Sequence, residues 1–589
     1  MTDKYADQFM DWLKEDGYTH CFFVGGGNVM HLLESASRRF QCIAVVHEVA
    51  AGIATEYFNE TSIKGQRAFS LVTAGPGLTN IVTAIGGAFL ESRELLVIGG
   101  QAKTSDLSRG TVPQIGHQEI DGVGIVTPIT VARVLADRRL DKSEVLRLTR
   151  RSRQGRKGPV FIEMCLDVSA MPPLVGEIRQ NPIDIRQLGP SRKDILAVQH
   201  LWEGATRPML LIGGGVEKRR FSALMKNLMD LKVPMGTTWN GFDRIPYDYE
   251  LYCGRPNTYG MRWANILLQS SDLVVAVGTR LGIQQVGFAW DDFVPKGKVV
   301  QVDLDAGELQ KGFPKIEIGI QSDAIEFLEQ FVKGLKFSIS GEWQKFIVES
   351  RNILDKPDKE NFARSPYLEL HAFIRNLSEI CDDEDVIVPC SSGGTFNAVM
   401  QMFKHKSGQS VTTDKGLASM GYGLSGAIGA AFANPDYRVV LMEGDGGFAQ
   451  NLQELGTVAV NSLNLKMFLT SNKGYASIRT TQKSYFNGNY VGCDFETGLG
   501  LPEWEKVFAA YGIAVTCLDK SNLDFDLVKE MMKIKGPHGF IVNLDPEQLF
   551  YPKVTSRVLE SGAMKTNPIH LMSPELSEEL AAKFLKYLK

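Results

Sequence analysis

The sequence predicts an α/β protein built from three doubly wound, parallel-sheet domains. Short apolar runs alternate with amphipathic stretches along most of the chain, as in CFFVGG, CIAVVHE, RAFSLVTAG, LLVIGG, MLLIGGG, LVVAVGT and KVVQVDLD. Such alternation gives parallel sheets with helices on both faces. Many of the runs end in Gly, Asp or Ser, at the strand edge where open α/β sheets bind ligands. The length of 589 residues exceeds what one core supports.

Two stretches read as linkers: Ser169–Arg192, rich in Pro and polar residues, and Lys336–Tyr367, which is charged and has no strand pattern. Cutting there gives expected domains at 1–170, 190–340 and 365–555, with a tail at 556–589. The net charge is −4, with no basic block or acidic tail, which argues against nucleic acid or a membrane surface as partner. No run approaches the roughly 18 apolar residues of a membrane span. The opening MTDKYADQFMDWLKEDG reads as a polar amphipathic helix, not a signal peptide. The eight cysteines are scattered without a CxxC pair, so no zinc site or disulfide framework is expected, and a cytoplasmic location fits best.

One stretch carries specific chemistry. VVLMEGDGGFAQ, from Val439, is an apolar strand ending at Asp445; LKMFLTSNKGY is a second, ending at Asn472. A strand-helix-strand unit between them would bring both side chains to one sheet edge. Gly444, Gly446 and Gly447 let the backbone approach a ligand closely. A helix starting near Phe448 would aim its N-terminal amides at the same point, favouring a phosphate. A carboxylate, an amide oxygen and a backbone carbonyl are hard ligands that suit Mg2+. A lone GDG is otherwise only a turn.

GDGGFAQ…SNKGY resembles the diphosphate-metal motif of thiamine-diphosphate-dependent enzymes, and the resemblance extends over essentially the whole chain. It implies that Asp445 and Asn472 ligate the metal by side chain and Gly474 by its carbonyl, with Tyr475, Gly444, Gly446 and Gly447 against the cofactor. It places Glu48, in VVHEVAAGIATEYF, on the aminopyrimidine ring, where its hydrogen bond favours the tautomer that removes the thiazolium proton. That role needs a buried, protonated Glu48; otherwise it is a helix-start glutamate. TAGPGLTN, with Thr73, Pro76 and Asn80, matches the family's turn beside the site, and PCSSGGTFN, with Gly393, Gly394 and Thr395, belongs under the diphosphate. Met420 takes the position that props the cofactor into a bent shape. In the family the glutamate and the metal motif come from different subunits, so a homodimer or homotetramer is expected.

Departures from the family narrow the reaction. Simple decarboxylases have a histidine pair in the first domain and a glutamate after the asparagine motif. Here VGGGNVMHLLE, with Gly26, and NKGYASIRTTQ offer neither. A carbanion that is not protonated promptly attacks a second carbonyl, which is carboligation. The glycine loop, Gln101, and IGHQEID with His117 and Gln118 resemble the acetohydroxyacid synthase branch; Gln118 and His117 join Glu48 as catalytic candidates. In the middle domain, Gly213, Gly214, Gly215, Thr237, Arg280 and Asp303 resemble that branch's FAD contacts, although a flavin-free Rossmann-like domain would read similarly. The stretch after Asn472 lacks the tryptophan of housekeeping synthases. It resembles the flavin-containing carboligases of branched-deoxysugar (yersiniose) biosynthesis, which join an acetyl unit from pyruvate to a nucleotide-linked keto-deoxysugar. The rivals are an acetolactate synthase, a 2-oxoacid decarboxylase or acyl-CoA lyase, and a catalytically silent cofactor-binding regulator.

Overall fold

The structure, a computed structural model, describes residues 3–175, 188–558 and 564–589. Three wholly parallel sheets carry the chain. The first contains β1 Tyr18–Phe23, β2 Gln41–Ala44, β3 Arg67–Val72, β4 Leu95–Gln101, β5 Ala132–Ala136 and β6 Pro159–Cys165. Their order is β2-β1-β3-β4-β6-β5. Every residue of β4 and β6 is buried, so apart from Gln101 and Glu163 both read as apolar on both faces instead of alternating.

The middle sheet contains β7 Pro208–Ile212, β8 Met235–Thr237, β9 Leu273–Val277, β10 Lys298–Asp303 and β11 Ile318–Gln321, in the order β11-β10-β9-β7-β8. The third contains β12 Val386–Pro389, β13 Ser410–Val411, β14 Val439–Gly444, β15 Leu465–Ser471, β16 Ala514–Leu518 and β17 His538–Asn543. Its order, β13-β12-β14-β15-β17-β16, repeats that of the first sheet strand for strand. In both, the winding direction reverses between the first and third strands, and the crevice at such a reversal is where doubly wound sheets bind ligands. The loops flanking it are Val24–Gly27 and Thr73–Gly75 in the first sheet, and Cys390–Ser392 and Gly444–Asp445 in the third.

The outer domains share one core. Helix Tyr422–Ala433 is buried along its whole length and packs against helix Glu48–Thr61. A Cβ on Gly429 would lie 2.0 Å from the Ala54 carbonyl oxygen, and one on Gly426 would lie 2.6 Å from the Tyr57 ring. These glycines let the two helices touch backbone to backbone.

The stretch Lys336–Tyr367, expected as a linker, contains the helix Gly341–Leu354, which buries Trp343, Phe346 and Ile347 in the middle domain's core. The expected Ser169–Arg192 linker lies partly outside the described residues. The C-terminal tail folds back: Ile569 and Phe584 are wholly buried in that same middle core. Among the described residues, no helix is long and apolar enough to cross a membrane.

Candidate active site

Asp445 and Asn472 end adjacent strands, since β14 pairs with β15 up to Gly444 opposite Thr470. Asp445 is buried and bonds to the loop that follows β15. Its Oδ2 accepts from the N–H of Asn472 at 3.1 Å and of Gly474 at 3.3 Å, and its Oδ1 accepts from the N–H of Gly446 at 2.8 Å. Burial pushes its carboxyl up to about 6, against the pull of the N–H groups of Gly446, Asn472, Gly474 and Lys473. The Asn472 side-chain oxygen is buried and has no partner among the described residues. Gly474 has φ +137°, and among the described residues its carbonyl accepts only a 3.2 Å bond, from the N–H of Ala476.

A buried acid bonded only to neutral groups, beside an orphaned amide oxygen, suits a hard divalent cation. Among the described residues no group of three or more His, Cys, Asp or Glu side chains could hold a metal. A cation here would therefore rest on one carboxylate, one amide oxygen and one carbonyl, and would need phosphate and water oxygens to complete an octahedron.

The rest of the motif surrounds that point. The short helix begins at Asp445, not near Phe448, and further short turns follow as far as Val460. The backbone breaks at Asn451, whose Nδ2 donates to the Gly421 carbonyl at 2.8 Å beside Met420. Gly446 is needed by the Tyr475 ring, which an added Cβ would meet at 2.3 Å, and Gly447 lies over Glu443. Helix Gly393–Met402 starts at the neighbouring strand end; Gly393 has φ +83° and faces open space, while Gly394 packs on Phe550. The Thr395 and Thr470 hydroxyls bond at 2.5 Å, tying that helix to β15. Met420 is half-buried.

The first domain gathers a second cluster at its own reversal point. Glu48 is buried at the start of its helix, and its Oε2 accepts from Asn80 Nδ2 at 2.9 Å. Pro76 is the first residue of helix Pro76–Glu91, after Gly75 at φ +62°. A Cβ on Gly75 would lie 2.7 Å from the Gln118 carbonyl oxygen, and one on Gly26 would lie 2.4 Å from Thr73. The glycine loop, the Thr73 turn and the Gln118 loop therefore meet. Thr73 Oγ1 is buried without a partner among the described residues. Gln118 has φ +59°, and the exposed His117 accepts at its carbonyl from Asn28 Nδ2 at 3.3 Å. Gln101 lies behind them, its Nε2 donating to the Ile120 carbonyl at 2.7 Å and to Glu163 Oε1 at 3.0 Å.

Three residues not among the site candidates hold these clusters. Glu119 accepts from the N–H groups of Ser108, Ile115 and Gly116 at 2.5, 2.8 and 3.0 Å, closing the Gln118 loop. Burial would raise its carboxyl, but these bonds outweigh it and hold it down to about 2. Glu454 accepts from the N–H of Val46 at 3.1 Å and of His47 at 3.0 Å, tying the approach to Glu48 to the third domain. Buried Arg479 donates to the carbonyls of Asn472, Lys473, Cys493 and Pro546 and so encloses the metal-motif loop. A capped, buried arginine inside a polar helix leaves no sequence pattern.

A cleft of about 1480 Å3 opens between the middle domain and its two neighbours. Gly214, Gly215, Arg280 and Asp303 line it at the ends of β7, β9 and β10. Gly213 is needed for packing, since a Cβ there would lie 2.1 Å from the Gly278 carbonyl oxygen. Thr237 is fully buried and its hydroxyl bonds Tyr252 at 3.1 Å; its neighbour Thr238 lines the cleft. The cleft exceeds the usual span of small-ligand pockets, roughly 300–1,000 Å3, so it has room for a dinucleotide.

Three family models match the chain in order: the N-terminal TPP-binding domain of thiamine pyrophosphate enzymes at residues 3–125, their central domain at 196–331 and their C-terminal TPP-binding domain at 392–542. Thiamine pyrophosphate is thiamine diphosphate under another name. The acetolactate synthase isozyme 1 large subunit of Escherichia coli K12 is 27% identical over 93% of this chain and 95% of its own length. The acetolactate synthase large subunit of Porphyra purpurea is 27% identical over 94% and 93%. The probable acetolactate synthase large subunit of Methanococcus aeolicus is 26% identical over 91% and 90%. Fold, site and matches together define a thiamine-diphosphate-dependent enzyme that forms carbon–carbon bonds. Within that class, this chain belongs to the thiamine pyrophosphate enzyme family and is acetolactate synthase-like.

Proposed function

We propose that the chain decarboxylates pyruvate and transfers the two-carbon unit to a ketone acceptor, a nucleotide-linked keto-deoxysugar. Thiamine diphosphate, when bound, supplies the acyl-anion chemistry. Asp445, Asn472 and the Gly474 carbonyl would hold Mg2+ against the diphosphate, with Gly393, Gly394 and Thr395 under it and Met420 against the ring system. Asn80 fixes one oxygen of Glu48 and leaves the other for a ring nitrogen of the cofactor. Gln118 and His117 would face the donor. FAD would occupy the cleft lined by Gly214, Gly215, Arg280 and Asp303.

One observation carries the transfer reading. After the metal loop, helix Ala476–Tyr485 presents Ile478 to solvent and buries Arg479, and it contains no carboxylate. The Gly25–Gly27 loop contains no histidine. Neither segment would then supply a proton to a donor held there, which favours transfer to a carbonyl over release of an aldehyde. The exposed Val46, whose N–H bonds to Glu454 at the approach to Glu48, would be covered by a second copy in a homodimer or homotetramer.

The names of the relatives favour a second reading, an acetolactate synthase that joins two 2-oxoacids. Mass spectrometry of products from pyruvate, Mg2+ and thiamine diphosphate separates the two. Slow pyruvate loss, accelerated by a keto-deoxysugar nucleotide with a branched sugar as product, supports the sugar reading. Rapid acetolactate formation from pyruvate alone would sink it. Glu48→Gln abolishes turnover in either case while leaving the fold intact.

A further inference from the structure

The interdomain cleft contains a charge that the protein does not neutralise. Lys415 lies in the loop between β13 and helix Tyr422–Ala433, is half-buried, and lines the cleft. Its main-chain N–H bonds to Glu91 Oε1 at 2.6 Å, and the other oxygen of Glu91 accepts from Asn240 Nδ2. Glu91 thus bridges Lys415 to the middle-domain wall. Among the described residues the ammonium has no hydrogen-bond or ion-pair acceptor. It faces two aromatic rings, Phe396 at 4.7 Å and Trp239 at 5.8 Å from their centroids. Burial pushes the ammonium below its usual range, and Cys390, Asp414 and Glu91 offset this only through space. Aromatic faces compensate part of a lost hydration shell, not all of it.

The neighbouring polar atoms are unsatisfied too. Trp239 Nε1 and Asn240 Oδ1 are buried without partners among the described residues, and both residues line the cleft. A donor, an acceptor and a cation are therefore left open around one place, about the ring of Trp239. Asn240 abuts the end of β7, where a Cβ on Gly214 would lie 2.8 Å from the Asn240 Cβ, while the Trp239 ring turns toward the third domain, 5.0 Å from the Phe396 ring. The glycine-lined strand end suits the nucleotide half of a dinucleotide, and the aromatic side of the cleft, with its open donor and cation, suits a planar group with an electron-rich edge of nitrogens and carbonyls.

We propose that Lys415 meets the N1–C2=O edge of a flavin ring bound in this cleft and stabilises negative charge there. This rests on the flavin reading above. A cation at that edge tunes the ring's electronics. Sulfite tests it directly. The sulfur lone pair forms a bond to flavin N5, the displaced electron pair comes to rest at N1–C2=O, and no leaving group or proton is required. The flavin's visible band bleaches as the adduct forms.

The experiment titrates sulfite into FAD-loaded full-length wild type, Lys415→Met and Lys415→Arg. Removing one partner of a desolvated charge contact is expected to raise the sulfite concentration for half-bleaching about tenfold or more in the Met variant. The Arg variant, which keeps the charge, is expected to stay within about threefold of wild type. If the Met variant does not fold, Lys415→Gln replaces it. A variant without the charge that titrates like wild type, or a wild type that forms no adduct, overturns the inference and leaves the flavin reading standing. A colourless protein that takes up no FAD overturns the flavin reading and this inference with it.

Discussion

Glu163 is 2% exposed, and among the described residues the only side chain bonded to it is the Gln101 amide, 3.0 Å away. Burial pushes its carboxyl up to about 8, with Asp121 adding and the Val123 N–H and Gln101 opposing. The folded chain then holds a proton that the unfolded chain has already released, so stability falls as pH rises from the ordinary carboxylate range through 8. Glu163→Gln mimics the protonated form. Between about pH 5 and about pH 9, wild type should lose on the order of a few kcal/mol relative to the variant. Melting curves across that range test this, and parallel profiles for the two proteins would refute it. Glu119 behaves in the opposite sense: its carboxyl sits at about 2, so its contribution is full above the ordinary range and is lost as pH falls toward 2. Glu119→Ala frees three N–H groups and should cost about 1–3 kcal/mol. Because Gln118 is the adjacent residue, held at φ +59°, turnover should also fall about tenfold while cofactor loading is retained. Unchanged turnover would show that Gln118 does not depend on this clasp.

The helix pair Glu48–Thr61 and Tyr422–Ala433 transmits position between the two cofactor domains. Gly429→Val would drive a side chain into the Ala54 carbonyl, which belongs to backbone and cannot rotate away. The expected loss is about 2–3 kcal/mol or more, read as a lowered urea midpoint. Gly27→Ala is the control: nothing lies within 4 Å of a Cβ there, and stability should not change. These elements also show what the sequence made legible. The buried strands declared themselves, since β9 is an unbroken apolar run and β15 carries the run Met467–Leu469, and the Asp445–Asn472 juxtaposition followed from strand-helix-strand spacing. Helix Gly341–Leu354 was hidden by charge, although Trp343, Phe346, Ile347, Ser350 and Leu354 recur at helical spacing and are its buried face. Thr237 and Thr238 could not be told apart because adjacent residues at a strand end face opposite ways, and the strand boundary decides which one reaches the cleft. Lys415 and Arg479 were illegible: a lysine in a glycine-rich loop and an arginine in a polar helix both read as solvated. Their burial comes from other segments, Glu91 and Trp239 for one, Cys493 and Pro546 for the other.

At the scale of the whole molecule, the C-terminal tail belongs to the middle domain, although the third domain separates them in sequence. Val554 N–H bonds to the Thr258 carbonyl at 2.9 Å, so the chain returns to the middle domain as soon as it leaves the third. Ile569 and Phe584 then fill the middle core. Asn265 Nδ2 donates to the Ile569 carbonyl at 2.8 Å and Arg262 Nη1 to the Met572 carbonyl at 3.2 Å, both from residues buried in helix Arg262–Ser270. A chain ending at Val558 would lose two large core side chains, each costing about 2–5 kcal/mol by analogy with large-to-small core substitutions. It would also leave the Asn265 amide and Arg262 guanidinium without those acceptors, which adds about 1–3 kcal/mol for each. The sum is comparable to the stability of an ordinary domain. The damage should be local: the first and third domains are joined through their own helix pair, whose core contains no tail residue among those described. Hydrogen exchange is expected to show the middle strands β7, β9 and β10 losing protection while β4, β6 and β15 keep theirs, and FAD uptake should fail before thiamine diphosphate binding does. Uniform loss of protection over all three sheets would mean that the tail supports the molecule as a whole, and unchanged protection would mean that its buried side chains are dispensable.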